Sequence, residues 1–244
     1  MSAELDVTEG ASRRRRGRPS GITPQGIEAR GKLYSAAIAL IAERGYEATT
    51  LREIADRARV SAGLLYRYFP SKRSVVLALY DELSAEYAGR AGLMRPGRWR
   101  QRFVEALRVS LDVLDPHRAT LQGLIPVLVG GVEDGLFARS TAFSRLRVQG
   151  AFVDAVHGAT DSPGGETADA LGRLLYLAHL AVILWWLLDR TAGRRATTEL
   201  ITLIENTLPA AALALRLKRA RRILLQADAL LRAALFDEAA ARAR

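Results

Sequence analysis

Residues 50–72 of the chain read TLREIADRARVSAGLLYRYFPSK. Thr50 and Glu53 have the spacing of a capping box, in which each side chain satisfies a free N–H at the start of a helix. Ser61 can cap a second short helix that runs to about Phe69. Because a turn of only three or four residues separates the two helices, the stretch predicts a helix-turn-helix.

The second of these helices is predicted to present a close-fitting polar surface. Helical spacing turns Leu65 and Phe69 toward the core. The outward-facing residues are then Ala62, Gly63, Tyr66 and Arg67, with Tyr68 toward the C-terminal edge. Small residues let the helix approach a groove wall closely, and tyrosine hydroxyls and an arginine can donate to phosphates or base edges. This pattern favours double-stranded DNA as a partner.

Further helices are predicted on both sides of this pair. Thr23 and Pro24 can open a helix that Gly45 ends, with the threonine as its cap and the proline in its first turn. Ser71 can cap the helix that follows the pair. Lys72 lies in the first turn of that helix, where the helix dipole disfavours a cation, so it is predicted to pair with a phosphate.

The rest of the chain is also predicted to be helical. Apolar residues recur at helical spacing, and the sequence contains no convincing alternating strand pattern and no internal repeat. The predicted helices cover residues 99–114, 116–130 (kinked by Gly123 and Pro126), 142–157, 166–190 and 196–216. The predicted fold class is therefore all-α.

The helix at 171–188 is apolar on nearly every side, so it needs more cover than one packed layer supplies. The helices at 166–190 and 196–216 are predicted to form half of an intermolecular four-helix bundle, and hence a homodimer. The alternative is a core helix packed only within its own chain. The longest apolar stretch, Leu174–Leu188, is shorter than the roughly 20 residues of a membrane span and is interrupted by His179, so no membrane association is expected.

The formal net charge of +10 is concentrated at the two ends of the chain. Residues 11–73 carry a surplus of +9 and residues 216–244 a surplus of +5, whereas residues 74–215 are nearly neutral. A basic N-terminal part fits a nucleic-acid partner, and the neutral middle fits a core that handles something other than phosphate. The first ten residues are polar and acidic, unlike a signal peptide, and we expect a cytoplasmic protein.

Catalysis is not expected from this sequence. The chain has no cysteine, which excludes disulfides, thiolate metal sites and a cysteine nucleophile. Its three histidines, His117, His157 and His179, fall on three different predicted helices, without the acid spacing of a catalytic triad or a metal site. Two Gly-Gly pairs, at 130–131 and 164–165, lack the flanks of a phosphate-binding or dinucleotide-binding loop. We therefore expect no cofactor and no metal.

A specific pattern of residues surrounds the helix-turn-helix. It reads Thr50-x-x-x-Ile54-Ala55-x-x-Ala58-x-Val60-Ser61-x-Gly63-x-Leu65-Tyr66-x-Tyr68-Phe69-x-x-Lys72, and it is preceded by Leu40-x-x-x-x-Gly45-Tyr46-x-x-Thr49-Thr50. This pattern resembles the DNA-binding region of the TetR/AcrR family of bacterial regulators over about residues 28–80. The chain departs from the family at Arg59, where glycine is common, and at Tyr68, where histidine is common.

The resemblance implies an Ω-shaped all-α homodimer, with an N-terminal three-helix helix-turn-helix domain and a C-terminal helical domain for ligand binding and dimerisation. Two recognition helices would enter successive major grooves of a pseudo-palindromic operator. An unknown small-molecule effector in the C-terminal domain would spread these helices and release the DNA. The expected function is therefore transcriptional regulation, as a repressor. The alternative is a constitutive DNA-binding or architectural protein whose C-terminal domain only dimerises.

The resemblance also assigns individual residues to DNA. The residues at family contact positions, mostly to the DNA backbone, are Thr50, Ser61, Gly63, Tyr66, Tyr68 and Lys72, and Ala62 shares their outer surface. Arg67 is the best candidate to read a base, since arginine can bind guanine through two hydrogen bonds; the alternative is a solvated or phosphate-bound side chain. Near the N-terminus, Arg16-Gly17-Arg18-Pro19 resembles an AT-hook, which lays Arg16 and Arg18 in an A·T minor groove. The alternative is a basic tail with non-specific phosphate contacts.

The effector cavity is predicted to be largely apolar. The aromatic or polar residues able to shape it are Trp99, Phe103, Phe143, Phe152, Tyr176, His179 and Trp185. For each of them, the alternative is ordinary core packing.

The chain is thus predicted to have four parts. These are a disordered basic arm at 1–22, a helix-turn-helix DNA-binding domain at 23–80, a helical ligand-binding and dimerisation domain at 81–216, and a basic helical extension at 217–244. The extension exceeds what the family core needs. It is interpreted as a packed or partly disordered extension, with a surface-binding amphipathic helix as the alternative.

Overall fold

The structure of the protein, a computed structural model, describes residues 23–130 and 135–235. Within these ranges it contains eleven α-helices, three short 3-10 turns and no β-strand, which confirms the predicted all-α class. The helices are α1 (Pro24–Arg44), α2 (Leu51–Ala58), α3 (Ala62–Tyr68), α4 (Lys72–Ala91), α5 (Trp99–Leu114), α6 (Arg118–Gly123), α7 (Ile125–Gly130), α8 (Ala142–His157), α9 (Gly165–Leu188), α10 (Arg195–Ala214) and α11 (Lys218–Leu235).

Side-chain caps begin the N-terminal helices at the residues that the sequence predicts. The hydroxyl of Thr23 accepts a hydrogen bond of 3.2 Å from the N–H of Gly26 at the start of α1. At α2, Thr50 accepts from the N–H of Glu53 at 3.2 Å, and the Glu53 carboxylate accepts from the N–H of Thr50 at 3.0 Å. Serine hydroxyls cap α3 and α4 in the same way. Because each such cap contributes about 1 kcal/mol, these short helices have well-defined starts.

Two hydrophobic cores organise the described chain. The smaller core packs α1, α2, α3 and the first turn of α4 around Leu33, Ile54 and Leu65. The larger core extends from the rest of α4 to α10 and includes Phe152. Helix α1 contributes to both cores, since Ile41 near its end packs in the larger one. The helix-turn-helix is therefore packed directly on the remaining helices.

The single kinked helix predicted at 116–130 is divided in two, because α6 ends at Gly123 and α7 starts at Ile125. Pro126 lacks an N–H, and its ring would clash with a preceding carbonyl in a continuous helix. The break lets α6 approach α1 closely. A methyl group added at Gly123 would lie only 2.5 Å from the carbonyl oxygen of Ile41, so this contact requires glycine.

Helix α9 is the central helix of the larger core. It packs closely on α8, where a methyl group added at Gly172 would lie 2.6 Å from the Cα of Val153. Within the described ranges it is the one helix that is, by itself, long and apolar enough to cross a membrane. However, much of its apolar surface is buried in the chain, and its Arg173 is paired with Asp228 of α11. This packing is that of a core helix.

Helix α10 ends at Ala214, slightly earlier than predicted, and the chain bends by 114° into α11. A buried carboxylate holds α11 on α9: Asp228 accepts hydrogen bonds of 2.6 and 2.8 Å from Arg173 and one of 3.1 Å from Arg232. Loss of one partner would leave a buried charge unpaired, so the cluster fixes the position of α11. The described part of the C-terminal extension is thus packed on its own chain, and residues 236–244 lie outside the described residues.

Candidate nucleic-acid interface and cavity

Helix α3 has one buried and one exposed face, in the orientation that its spacing predicts. Leu65 and Phe69 are buried in the smaller core. The exposed residues are Ala62, Gly63, Tyr66 and Arg67. Tyr66 exposes 57% of its surface. An exposed tyrosine of this kind offers both an aromatic face and a hydroxyl to a partner.

Gly63 leaves open space at the N-terminal end of α3. A methyl group added there would meet no described atom within 4 Å beyond its chain neighbours and its own helix backbone. Packing within the chain therefore does not require glycine. Glycine also makes a helix less stable than alanine does, by roughly 0.5–1 kcal/mol. The predicted close approach of Gly63 to the wall of a DNA groove stays a prediction, and the open space is compatible with it.

The turn between α2 and α3 keeps a tight geometry despite the arginine at position 59. Arg59 adopts the left-handed conformation that favours glycine, with φ 54° and ψ 43°. Its N–H donates to the carbonyl of Asp56 at 3.1 Å, and the N–H of Val60 donates to that of Ala55 at 3.0 Å. The departure from the family pattern therefore costs backbone strain without opening the turn.

Ion pairs brace α2 against α1. Arg57 donates two hydrogen bonds of 2.6 Å to Glu43, and Arg44 donates one of 2.7 Å to Glu53. Hydrogen bonds from Arg57 hold the pKa of Glu43 below its ordinary value, and hydrogen bonds from Thr50 lower the pKa of Glu53. Because these side chains are largely exposed, the pairs orient the helices more than they stabilise them.

Lys72 has partners inside the chain, and its predicted pairing with a phosphate stays a prediction. Its ammonium donates to the carbonyl of Tyr46 at 2.8 Å and to that of Glu47 at 3.3 Å. It also lies 4.4 Å from the centre of the Tyr46 ring. Two of its three N–H donors thus close the loop between α1 and α2, so Lys72 positions the helix-turn-helix as well as carrying charge there.

Tyr68 is partly buried at the edge of α3. Its hydroxyl lies against the first turn of α1, where a methyl group added at Gly26 would come within 2.5 Å of it. The guanidinium carbon of Arg67 lies 6.0 Å from the centre of the Tyr68 ring, which is within the range of a cation–π contact. Tyr68 therefore supports α3 from within the protein and restrains Arg67.

The remaining predicted DNA contacts divide into two groups. Thr50 and Ser61 lie exposed at the starts of α2 and α3, where their hydroxyls act as helix caps. Arg16 and Arg18 lie outside the described residues, so their contact with the minor groove stays a prediction.

A cavity of about 400 Å³ lies in the larger core. Helices α4 to α9 form its walls, together with the segment that precedes α8. Most of the lining side chains are aliphatic or aromatic, which fits the predicted apolar character. A cavity of this volume holds a drug-sized molecule.

The predicted pocket residues are distributed between the cavity, the core and the surface. Tyr176 and His179 border the cavity. Trp99, Phe103 and Phe152 are buried but do not border it, and Phe143 and Trp185 lie on the surface, where Trp185 is 48% exposed. The prediction is corrected for these last five residues, because aromatic character alone does not distinguish a cavity wall from ordinary core or from an exposed face.

Several polar cavity residues escaped the sequence analysis. These are Tyr87 on α4, Ser110 on α5, and Ser144 and Arg145 on α8. The serines are the ones that a sequence signal could have found, since each is a small polar residue on the apolar face of an amphipathic helix.

His179 is an uncharged part of the cavity wall. Its Nε2 lies 2.7 Å from the Oγ of Ser110, and its ring centre lies 4.8 Å from that of Phe152 and 6.1 Å from that of Tyr87. Burial among these groups lowers the pKa of His179 to about 3. The imidazole therefore stays neutral at physiological pH.

We expect the neutral His179 to make stability fall in mild acid. The unfolded chain takes up a proton below about pH 6.5, the ordinary histidine pKa, whereas the folded chain does so only near pH 3. The contribution of the neutral His179 to the free energy of unfolding is thus complete above that ordinary pKa. It falls by about 1.4 kcal/mol for each pH unit below it, until the pKa of the folded chain is reached. Denaturant unfolding at pH 7 and pH 5 measures the loss. His179→Gln, which cannot ionise, should lose distinctly less between the same pH values, and equal losses would contradict this assignment.

Comparison with known proteins shows which family has both a similar helix-turn-helix and similar sequence beyond it. The sequence pattern of the bacterial regulatory proteins of the tetR family matches residues 33–79, which include α2 and α3. The HTH-type transcriptional repressor KstR of Rhodococcus jostii is 30% identical over 182 residues, which cover 73% of this chain and 82% of that protein. The similarity therefore extends well beyond the helix-turn-helix.

The chain belongs to the tetR family of bacterial regulatory proteins. It is thus a DNA-binding transcriptional regulator, as the sequence predicts. Several solved structures share its fold. A tetR-family regulator from Streptomyces coelicolor superposes with a TM-score of 0.59 at 22% identity, covering 84% of this chain and 89% of that one. AibR, in complex with isovaleryl coenzyme A and operator DNA, has a TM-score of 0.50 at 18% identity, over 72% of this chain and 97% of its own.

The relatives of this tetR-family regulator are transcriptional regulators, which agrees with the prediction that it is not an enzyme. In the part of the chain that the structure describes, no group of three or more His, Cys, Asp or Glu side chains is placed to hold a metal ion.

Proposed function

We propose that this regulator is a homodimeric repressor that binds a pseudo-palindromic operator and leaves it when a small molecule occupies the cavity. We assign DNA binding to residues 23–80, and ligand binding and dimerisation to residues 81–216. The observation that carries the proposal is a continuous path of contacts from the cavity to α3. Helix α6 is the centre of that path.

Helix α6 contacts both the cavity and α1. Leu121 borders the cavity. On the side of α1, the hydroxyl of Thr120 donates to the carbonyl of Ile38 at 3.3 Å, and the carbonyl of Gly123 accepts from the N–H of Tyr46 at 3.2 Å. A ligand that displaces Leu121 therefore shifts the end of α1, and the shift reaches α3 through the shared core.

The same helix is fixed to the end of α9. Arg118 donates to the carbonyls of Trp186, Leu187 and Asp189 at 3.0 to 3.2 Å. Gln122 donates to the carbonyl of Leu187 at 2.7 Å. These bonds satisfy carbonyls that the end of a helix otherwise leaves without a partner. Helix α6 thus joins α9, which we assign to the dimer interface, to the DNA-binding part.

The dimer is proposed to form through α9 and α10. Helix α9 carries an apolar stripe of exposed residues at helical spacing, which are Ala178, Ala181, Trp185 and Leu188. The exposed apolar residues on α10 include Leu203, Ala210 and Leu213. Two copies of this helix pair make a four-helix bundle, and the bundle removes both apolar faces from water.

Similar proteins support separate parts of the proposal. KstR is a transcriptional repressor. AibR holds isovaleryl coenzyme A and operator DNA, so one molecule of this fold can accommodate both kinds of ligand. We further propose a cytoplasmic location, where the operator is accessible, and contacts of the arm at 1–22 with DNA.

The assignment of α3 is tested with Tyr66→Ala. Operator sequences are first selected from a random DNA pool by the full-length protein, and affinities are then measured by fluorescence anisotropy. We expect the variant to bind at least about thirtyfold more weakly, because roughly 1–3 kcal/mol is lost in each of two half-sites. The dimer mass and the helical circular dichroism signal should not change. Unaltered operator affinity would show that α3 is not the recognition helix.

Effector control is tested on the same operator complex. Ligands that raise the melting temperature of the free protein are added to the complex, and release of DNA is followed. Release supports the proposed repressor. If every ligand that binds leaves the operator occupied, the protein is instead a constitutive DNA-binding protein.

A further inference from the structure

We infer that the effector is an uncharged, mainly hydrocarbon molecule with an isolated hydroxyl or keto oxygen, and that the hydroxyls of Tyr87 and Ser144 recognise this oxygen. The inference rests on the proposed function, since it assigns a chemical class to the ligand of the same cavity. It follows from the balance of apolar surface, hydroxyl groups and charge among the lining residues.

Apolar side chains make up most of the cavity wall. They come from several helices and include Leu83, Leu121, Ile125, Leu128, Leu180 and Leu187. Each Å² of apolar ligand surface that they cover contributes about 25 cal/mol to binding. Hydrocarbon therefore supplies most of the affinity, and polar groups of the wall decide orientation and selectivity.

The hydroxyl groups of Tyr87 and Ser144, both in the wall, have no partner among the described residues. The hydroxyl oxygens of Tyr87 and Ser144 are buried and form no hydrogen bond. Burial also raises the pKa of Tyr87, so this hydroxyl keeps its proton and can donate it. A buried hydroxyl without a partner typically costs about 1–3 kcal/mol, which a ligand oxygen would recover.

Other hydroxyls of the same wall are satisfied within the protein. Ser110 is bonded to His179 at 2.7 Å, and Ser84 accepts a hydrogen bond of 2.8 Å from Arg147. Thr141 donates to the carbonyl of Gly135 at 2.8 Å. Unlike the hydroxyls of these three residues, those of Tyr87 and Ser144 are available to a ligand.

The charges of the wall favour a neutral ligand. Arg145 is the one charged side chain among the described lining residues, and it already has an interaction partner. His179 is neutral, because burial lowers its pKa to about 3. The described wall includes no aspartate or glutamate that would pair with a cation. A ligand cation would therefore be desolvated without a carboxylate partner, and a ligand anion would have to compete with the existing partner of Arg145, so a charge of either sign is unfavourable.

The experiment compares ligands of equal hydrocarbon length that differ only in the head group. The ketone 2-dodecanone, dodecanol, dodecanoate and dodecylammonium, which have twelve carbons each, are titrated by calorimetry into the full-length protein without DNA. We expect the ketone and the alcohol to bind at least about tenfold more tightly than either ion. Tyr87→Phe and Ser144→Ala should each weaken the ketone and the alcohol by about three- to tenfold and leave the ions unaffected.

Tyr34→Phe serves as the matched control. It also removes a buried tyrosine hydroxyl, but that hydroxyl lies near Glu82 rather than among the cavity residues. We expect it to leave all four affinities unchanged. Tighter binding of dodecanoate or dodecylammonium, no binding of the ketone and the alcohol, or full affinity of both hydroxyl-deleted variants would overturn the inference. Because binding is measured without DNA, a ketone that binds as expected but does not release the operator would count against the proposed function alone.

Discussion

Gly63→Leu is expected to abolish operator binding while making the folded protein slightly more stable. A methyl group added at position 63 meets no described atom within 4 Å beyond its chain neighbours and its own helix backbone, so we expect the larger side chain to fit without a clash inside the protein. Leucine is the better helix former by up to about 1 kcal/mol. In the complex, however, the added side chain would occupy the space between α3 and the groove wall. We expect the affinity to fall at least about a hundredfold, because both half-sites are affected.

Gly89→Leu is the matched control. Gly89 also lies within a helix, and a methyl group added there likewise meets no described atom within 4 Å beyond its chain neighbours and its own helix backbone. It stands near the far end of α4, some 25 Å along the helix axis from Lys72. We expect it to raise stability to a similar extent and to keep full operator affinity. Equal affinities of the two variants would contradict the placement of α3 against DNA.

The prediction that α3 faces DNA uses residues that packing within the chain does not explain. A residue that faces a partner outside the chain is not required by packing within the chain. Gly63 and the exposed Tyr66 are such residues. The helix starts were also predictable, because capping depends on residues close in sequence. Thr50 and Glu53, for example, form their hydrogen bonds within one turn. The helical spacing of apolar residues such as Leu65 and Phe69 then predicted which face of α3 is buried.

The cavity could not be predicted in the same way. Helix α9 is apolar on nearly all sides, so no polar stripe indicates which of its residues face inward. Trp185 was interpreted as a pocket residue, but it is exposed, and its neighbour Trp186 is buried instead. The partners of Lys72 could not be predicted from the sequence, for a different reason. They are backbone carbonyls, and these carry no sequence signature.

Trp185→Glu is expected to dissociate the dimer without unfolding the chain. Trp185 lies at the centre of the exposed apolar stripe of α9, and buried tryptophans are frequent hot spots of interfaces. Glutamate there would place two desolvated charges in the four-helix bundle. We expect the dimer dissociation constant, measured by analytical ultracentrifugation, to rise at least about a hundredfold. Operator affinity should fall with it, because two separate subunits no longer bind two half-sites as one unit.

Leu93→Glu controls for the introduction of glutamate at an exposed apolar position. Leu93 is 84% exposed in the loop between α4 and α5 and belongs to neither helix of the proposed interface, so dimer mass and operator affinity should stay unchanged. A Trp185→Glu protein that remains dimeric would refute the proposed interface. If that protein instead loses binding of the ketone, position 185 acts on the cavity, as the sequence alone had suggested. The two readouts therefore separate the two roles, because only the interface role makes dimerisation depend on this side chain.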